Sequence, residues 1–339
     1  MNKPTLLEKA AFNYKRTLLL LGIVLLPCSL PAETGENKLI RLRNQMPSAK
    51  TDAERKAILQ EVGTTGTFPA MMYASQYLDA PALRKAAARA VAVIATSHIG
   101  YNGVNTRALL RKTLKLVKGD LKKKVKAYLT VMPESEEGYV SIFNGKDLTG
   151  WKGLVENPVA RMKMSEKELS RKQAEADSQM RKDWNVIDGL LTYVGNGYDN
   201  ICTTGRYGDF EMLIDWKLDP SGKEPDAGIY LRGTPQVQIW DIKRTDVGAQ
   251  VGSGGLYNNQ KNESHPSKVA DNKTGEWNSF YIKMVNDRVT VVLNGIKVVD
   301  NVILENYWDR SQPIFPTEQI ELQAHGSRVY YRDIYVKRL

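Results

Sequence analysis

From Val140 onward, short runs of residues alternate between apolar and polar, and this constrains the fold more than any other feature of the chain. Successive side chains of a strand point to opposite faces of a sheet, so alternation marks strands with one buried face. The runs are Val140–Phe143, Trp184–Ile187, Leu190–Val194, Asn200–Thr203, Phe210–Lys217, Gly228–Arg232, Gln236–Trp240, Trp277–Val285, Arg288–Leu293, Ile296–Asp300, Ile320–Ala324 and Val329–Lys337. Asp188-Gly189, Asn286-Asp287 and Asn294-Gly295 separate some of them, as two-residue hairpin turns require. So many short strands without regular helical interludes predict a mainly β, two-sheet sandwich over residues 133–339. A charged stretch at 157–183, with Ser165 and Glu168 spaced as a capping box, predicts a helical excursion over one end of the sandwich.

The same parity sorts candidate functional residues. Met212, Ile214 and Trp216 oppose Asp215, Ile229 and Leu231 oppose Tyr230 and Arg232, and Val237 and Ile239 oppose Gln236, Gln238 and Trp240. Ile320, Leu322 and Ala324 oppose Glu321, Gln323 and His325. If these strands share a sheet, their polar faces form one surface rich in amides, carboxylates and aromatic rings. Sugar hydroxyls pair with amides, carboxylates and guanidinium groups, and sugar C–H faces stack on aromatic rings.

Residues 33–132 lack alternation and are rich in Ala, Leu, Lys and Arg, which favour helix. Thr51 is placed to cap one helix, Pro81 to open another, and two more follow around Leu109–Val117 and Leu121–Leu129. A small all-α domain of short helix pairs is expected, and its Ala-rich segment resembles a HEAT-type repeat. Much of the chain's formal net charge of +10 lies here, from Arg107 to Lys126. Such a run of charge reads first as a solvated helix face, and the partner it would otherwise suit is an anionic envelope surface. Nucleic acid is not expected, because the stretch lacks interleaved aromatics for base stacking.

Residues 1–32 read as a signal peptide, with Lys3, Lys9, Lys15 and Arg16 before the apolar run Leu18–Leu26. The chain is therefore expected to be exported, to the periplasm or beyond. Lipid anchoring at Cys28 is the rival, disfavoured by Pro27 before it. Of the two cysteines, Cys202 is then left without a partner and reads as a small buried residue. Three histidines, His98, His265 and His325, stand too far apart in sequence to suggest a metal motif.

Phe143-Asn144-Gly145-Lys146-Asp147-Leu148-Thr149-Gly150-Trp151 resembles the opening signature of the 3-keto-disaccharide hydrolase family. Further landmarks follow in the family's order. They are Trp184-Asn185-Val186, Gly208-Asp209-Phe210-Glu211, Ala227–Gly233, Val237–Asp241, Gly255-Leu256-Tyr257, Gly275–Asn278, Leu293-Asn294-Gly295 and Glu321-Leu322-Gln323 with His325-Gly326. Two positions depart from the pattern, Gln236 being an amide and Asp215 standing where glutamate is common. The resemblance implies a concanavalin A-like jelly roll acting on an oligosaccharide or glycoside oxidised at carbon 3.

Such a ketone acidifies the proton on carbon 2. Its removal gives an enediolate, the bond from carbon 1 to the leaving oxygen breaks, and water then adds. The chemistry needs a base, an enediolate stabiliser and an acid. The expected base is Asp215 or Glu321, with Asp241 as a substitute for Asp215. Arg232 is the expected stabiliser and His325 the proton donor. Gln236, Gln238 and Gln323 would orient hydroxyls beside Tyr230, and Trp240 or Tyr257 would stack on the ring. No cofactor is called for by the spacing, although a divalent cation held by Asp, Glu and His side chains is compatible with it. The rival readings are a non-catalytic carbohydrate-binding module and an ordinary glycoside hydrolase.

Overall fold

Thr34, Thr51 and Thr67 each accept a hydrogen bond from a backbone N–H three residues on, and each opens a helix. These helices are α1 (Gly35–Gln45), α2 (Asp52–Val62) and α3 (Phe68–Ser75). At Thr51 the reciprocal bond, donated by the Thr51 N–H to the Glu54 carboxylate, completes a capping box. They are followed by α4 (Arg84–Ser97), α5 (Val104–Thr113) and α6 (Gly119–Val131). Pro81 does not open α4: the Leu83 N–H closes a turn on the Ala80 carbonyl, and the helix starts at Arg84. The structure is a computed structural model describing residues 32–339 except Asn196 and Ala324. Residues 1–31 of the expected leader, with Cys28, lie outside the described residues.

Helix α4 is the hub of this layer. Ala87, Ala88, Ala90, Ala92 and Ala95 are buried on it, and their small side chains let α2, α3, α5 and α6 all pack against it. That arrangement has a centre, whereas in a repeat stack each unit meets only its neighbours.

The remaining elements are β1 (Val140–Ser141), β2 (Trp151–Gly153), α7 (Pro158–Arg161), α8 (Glu166–Asp183), β3 (Trp184–Ile187), β4 (Leu190–Tyr193) and β5 (Ile201–Thr203). Then come β6 (Phe210–Leu218), β7 (Asp226–Leu231), β8 (Thr234–Trp240), β9 (Asn278–Val285), β10 (Arg288–Leu293), β11 (Ile296–Ile303), β12 (Glu321–Leu322) and β13 (Val329–Arg338). They build a jelly-roll sandwich of two antiparallel sheets. The larger runs β11-β10-β9-β6-β13-β4-β3, with β1 also on β13, and the smaller runs β2-β5-β12-β7-β8. Asp188-Gly189 and Asn294-Gly295 make the expected tight turns, with positive φ at all four residues.

Between the sheets lies one apolar core. Met212, Ile214 and Trp216 of β6 meet Ile229, Leu231, Val237, Ile239 and Leu322 of the smaller sheet there. Burying each such side chain is worth about 1.5–3 kcal/mol. The expected excursion is α7 and α8. Helix α8 lies against the edge strand β2 so closely that a Cβ on Gly153 would fall 2.2 Å from the Ala176 carbonyl oxygen. Asp177 accepts from the Gly153 N–H and Gln173 donates to its carbonyl, which closes that sheet edge.

The helical layer covers the outer face of the larger sheet, and residues Thr34–Leu339 form a single compact unit. Phe68 packs on Tyr101, Tyr139 and Tyr335, and the Tyr139 hydroxyl donates to Glu211 at 2.6 Å. Asp215 belongs to this interface. It is 2% exposed and takes a 3.0 Å hydrogen bond from Arg332 Nε. A register shift in β13 gives Asp333 a positive φ, and Asp333 pairs with Arg43 of α1. The expectation that Asp215 is a catalytic base is therefore corrected: its strand lies in the larger sheet, apart from the other expected site residues, and it is buried against Arg332 beside a separate cavity of about 190 Å³ under the helical layer.

Glu321 is corrected for a different reason. It lies in the smaller sheet, opposite Tyr230 and Cys202, but it is 1% exposed and is not among the side chains that line the open cleft of that sheet. Burial pushes its carboxyl up to about 8 and the buried Cys202 thiol up to about 12.

Two stability predictions follow from these buried carboxyls. Asp215→Ala strips the counter-charge from Arg332 and should cost about 3–5 kcal/mol in chemical denaturation. A loss under 1 kcal/mol contradicts that role. Glu321 favours folding below the ordinary carboxyl range, and this support is lost as pH rises through about 8. Glu321→Gln should therefore match the wild type in melting temperature near pH 4 and exceed it progressively towards pH 8.

Candidate active site

The outer face of the smaller sheet stays open. Alternation along β7 places Asp226, Gly228 and Tyr230 on that face, and along β8 it places Gln236, Gln238 and Trp240 there. Gly228 pairs with Gln238 and Asp226 with Trp240 in register. Gln323 follows β12 and ties its N–H to the Gly228 carbonyl at 2.9 Å, which brings His325 alongside. These residues line a cleft of about 410 Å³ with Arg244, Tyr257, Asn258, Tyr307 and Trp308.

Gly228 is needed at the floor. A Cβ there would lie 2.8 Å from Gln236 and 2.9 Å from Gln323, so a larger residue would push both amides off their positions. The walls carry aromatic pairs. Trp240 and Tyr257 meet edge to face at 5.3 Å, and Tyr307 and Trp308 at 4.9 Å. Tyr257 and Tyr307 remain 48% and 42% exposed, which leaves ring surface for a ligand. Tyr257 reaches the cleft because residues Gly254–Leu256 run beside β8, joined by the Gly254 N–H to the Gln238 carbonyl and the Gln238 N–H to the Gly255 carbonyl.

Asp226 is the focus of the polar groups. Gln238 Nε2 donates to its Oδ1 at 2.6 Å, and Gln236 donates in turn to Gln238 Oε1. Its Oδ2 lies 4.0 Å from His325 Nδ1 and 3.8 Å from Arg244 Nη1. Burial raises the Asp226 carboxyl to about 6, against the opposing pull of His325, the Gln238 hydrogen bond and Arg244. Glu224 stands 3.7 Å from the same His325 nitrogen, and Tyr198 packs edge-on against the imidazole at 5.1 Å. A carboxylate with this value is a competent base near neutrality, and the imidazole beside it is a second proton carrier. Among the described residues no group of three or more His, Cys, Asp or Glu side chains stands in a metal-holding arrangement.

Of the residues expected from sequence, the cleft gathers Tyr230, Gln236, Gln238, Trp240, Tyr257, Gln323 and His325. Asp215 and Glu321 stay outside, for the reasons given above. Arg232 does not act as a stabiliser here. With Gly233 it forms the positive-φ turn between β7 and β8, and its guanidinium is held by Asp209 at 2.5 Å and the Gly208 carbonyl at 2.8 Å. Asp241 is likewise spent on its own loop, accepting from the Lys243 N–H and the Thr274 hydroxyl.

Asp226 was missed because the strand was started at Gly228. It stands at the same parity as Tyr230, so a strand two residues longer exposes it. Adjacent loop aromatics were the available signal for Tyr307 and Trp308. Arg244 lies in a loop without periodicity, and no pattern marks it.

A model of the 3-keto-alpha-glucoside-1,2-lyase-like domain matches residues 138–337. A 3-keto-disaccharide hydrolase of Bacteroides thetaiotaomicron is 22% identical over 260 residues, covering 61% of this chain and 81% of that protein. A solved protein of Parabacteroides distasonis is 24% identical, covering 60% of this chain and 94% of that one, with a TM-score of 0.43. A carbohydrate-binding module from Bacillus subtilis is 12% identical, covering 56% of this chain and 96% of its own, with a TM-score of 0.33. With more than half of its length matched by the family model, the chain belongs to the 3-keto-alpha-glucoside-1,2-lyase-like domain family.

Proposed function

We propose that this protein is a carbohydrate-active enzyme that cleaves glycosides oxidised at carbon 3. Asp226 removes the proton from carbon 2, and an enediolate forms. His325 protonates the oxygen leaving carbon 1, and water adds to the resulting double bond to complete a net hydrolysis. The observation that carries this assignment is Asp226 itself. Among the described residues lining the cleft it is the one carboxylate, and it is fixed by Gln238 with its titration near 6.

The geometry favours this chemistry over an ordinary glycosidase, which needs two carboxyl groups facing each other across the bond. It favours an enzyme over a binding module because a sugar is held well by amides and rings alone. Burying a carboxylate whose titration is raised towards neutrality costs stability and serves proton transfer. Gln236 and Gln323 flank Gly228 and suit ring hydroxyls, while Trp240 with Tyr257 and Tyr307 with Trp308 suit the apolar faces of the glycoside. The protein would work outside the cytoplasm after export on residues 1–32, its basic helices α5 and α6 meeting an anionic envelope surface.

Product analysis with matched 3-keto and unoxidised glycosides tests the assignment. Cleavage of the keto compound alone is expected. Cleavage of the unoxidised sugar would make the protein a glycosidase, and saturable binding without turnover would make it a binding module. Asp226→Asn should lower turnover of the keto glycoside by about 10²–10⁴-fold. The base must be ionised, so wild-type kcat/KM should fall tenfold per unit as pH drops below about 6.

A further inference from the structure

Arg244 enters the cleft from the loop after β8, and the loop is built to hold it there. The Arg244 N–H donates to the Asp241 carbonyl, and the Arg244 carbonyl receives the Val247 and Ala249 N–H groups. The Asp241 side chain braces the same turn through Lys243 and Thr274. The Arg244 side chain is 16% exposed, and its Nη1 is buried without a hydrogen-bond partner. Asp226 does not supply one, since its Oδ2 is 3.8 Å away and its Oδ1 is taken by Gln238. A buried charged donor left without an acceptor costs about 1–3 kcal/mol or more. Gln323 Oε1 and His325 Nδ1, both on residues lining this cleft, are also buried and unpartnered. Unmet hydrogen-bonding capacity is thus concentrated around the same hollow.

We propose that Arg244 is the catalytic group that receives the oxygen on carbon 3 of the substrate, first as a ketone and then as the enediolate oxyanion. The inference rests on the proposed 3-keto glycoside chemistry and supplies its missing electrostatic partner. In the forward step Asp226 takes the carbon-2 proton, and the C–H electron pair becomes the C2–C3 double bond. The carbonyl pair moves onto the carbon-3 oxygen, whose negative charge faces Arg244. The carbonyl then re-forms as the C1–C2 double bond forms, and the C1–O pair leaves with a proton from His325. Charge on the carbon-3 oxygen peaks in the intermediate, so the guanidinium contact strengthens when it is most needed. A guanidinium suits this task because it stays charged and presents its donors in a rigid fork.

The alternative is that Arg244 acts only through Asp226, lowering its titration. The two roles separate in a pH–rate profile of the wild type, Arg244→Gln and Arg244→Lys, using one 3-keto glycoside and its unoxidised parent as a binding probe. Loss of the oxyanion contact should lower the plateau kcat of Arg244→Gln by about 10²–10³-fold. Arg244→Lys should recover part of that loss, and affinity for the unoxidised parent should stay within a few fold. A variant with the wild-type plateau and only an upward-shifted acidic limb overturns the proposal while leaving the Asp226 assignment intact. A wild type that does not turn over the keto glycoside overturns both. Melting temperatures identify a variant that has lost its fold, and Arg244→Lys, retaining charge and length, decides the question if Arg244→Gln is lost that way.

Discussion

Alternation of side chains across antiparallel strands is the constraint from which the rest of this structure follows. It drives the apolar half of each strand into one shared core and leaves two outer faces. The faces meet different fates. The larger sheet's outer face is covered by the helical layer, and its charged residues, Asp215, Arg332 and Asp333, form an ion network with Arg43 of α1. The smaller sheet's outer face keeps a cleft of about 410 Å³, and the polar residues of β7 and β8 point into it. The same rule that builds the core thus also builds the candidate site.

The fold was legible because alternation, two-residue turns and threonine caps are local signals. Asp188-Gly189 and Asn294-Gly295 sit where the strands turn, and Thr51 caps the helix it was expected to open. Helices α1 and α3 were not legible. The first is mostly polar, and the second is buried on nearly every side, so neither shows a clean stripe.

The site was legible only in part, for reasons that lie in the same rule. Parity tells which residues share a face of one strand. It does not tell which sheet the strand joins, so Asp215 was grouped with residues of the other sheet. It also fails where a strand has already ended, as at Arg232 in its turn, and where a strand is started too late, as at Asp226. Gln236, Gln238, Gln323 and His325 were found because their strands and register keep them on one side of one sheet. Arg244 required the fold itself, since only the packed loop shows a guanidinium nitrogen buried without an acceptor.

The central claim is that a carboxylate on the smaller sheet cleaves the glycoside through carbon 2. Turnover of a 3-keto glycoside in deuterium oxide, followed by NMR at carbon 2 during the initial phase, tests it most directly. Proton loss at that carbon in step with release of the leaving group, with solvent deuterium in the hydrated product, is the expected result. Release of the leaving group with the original carbon-2 proton retained would contradict it.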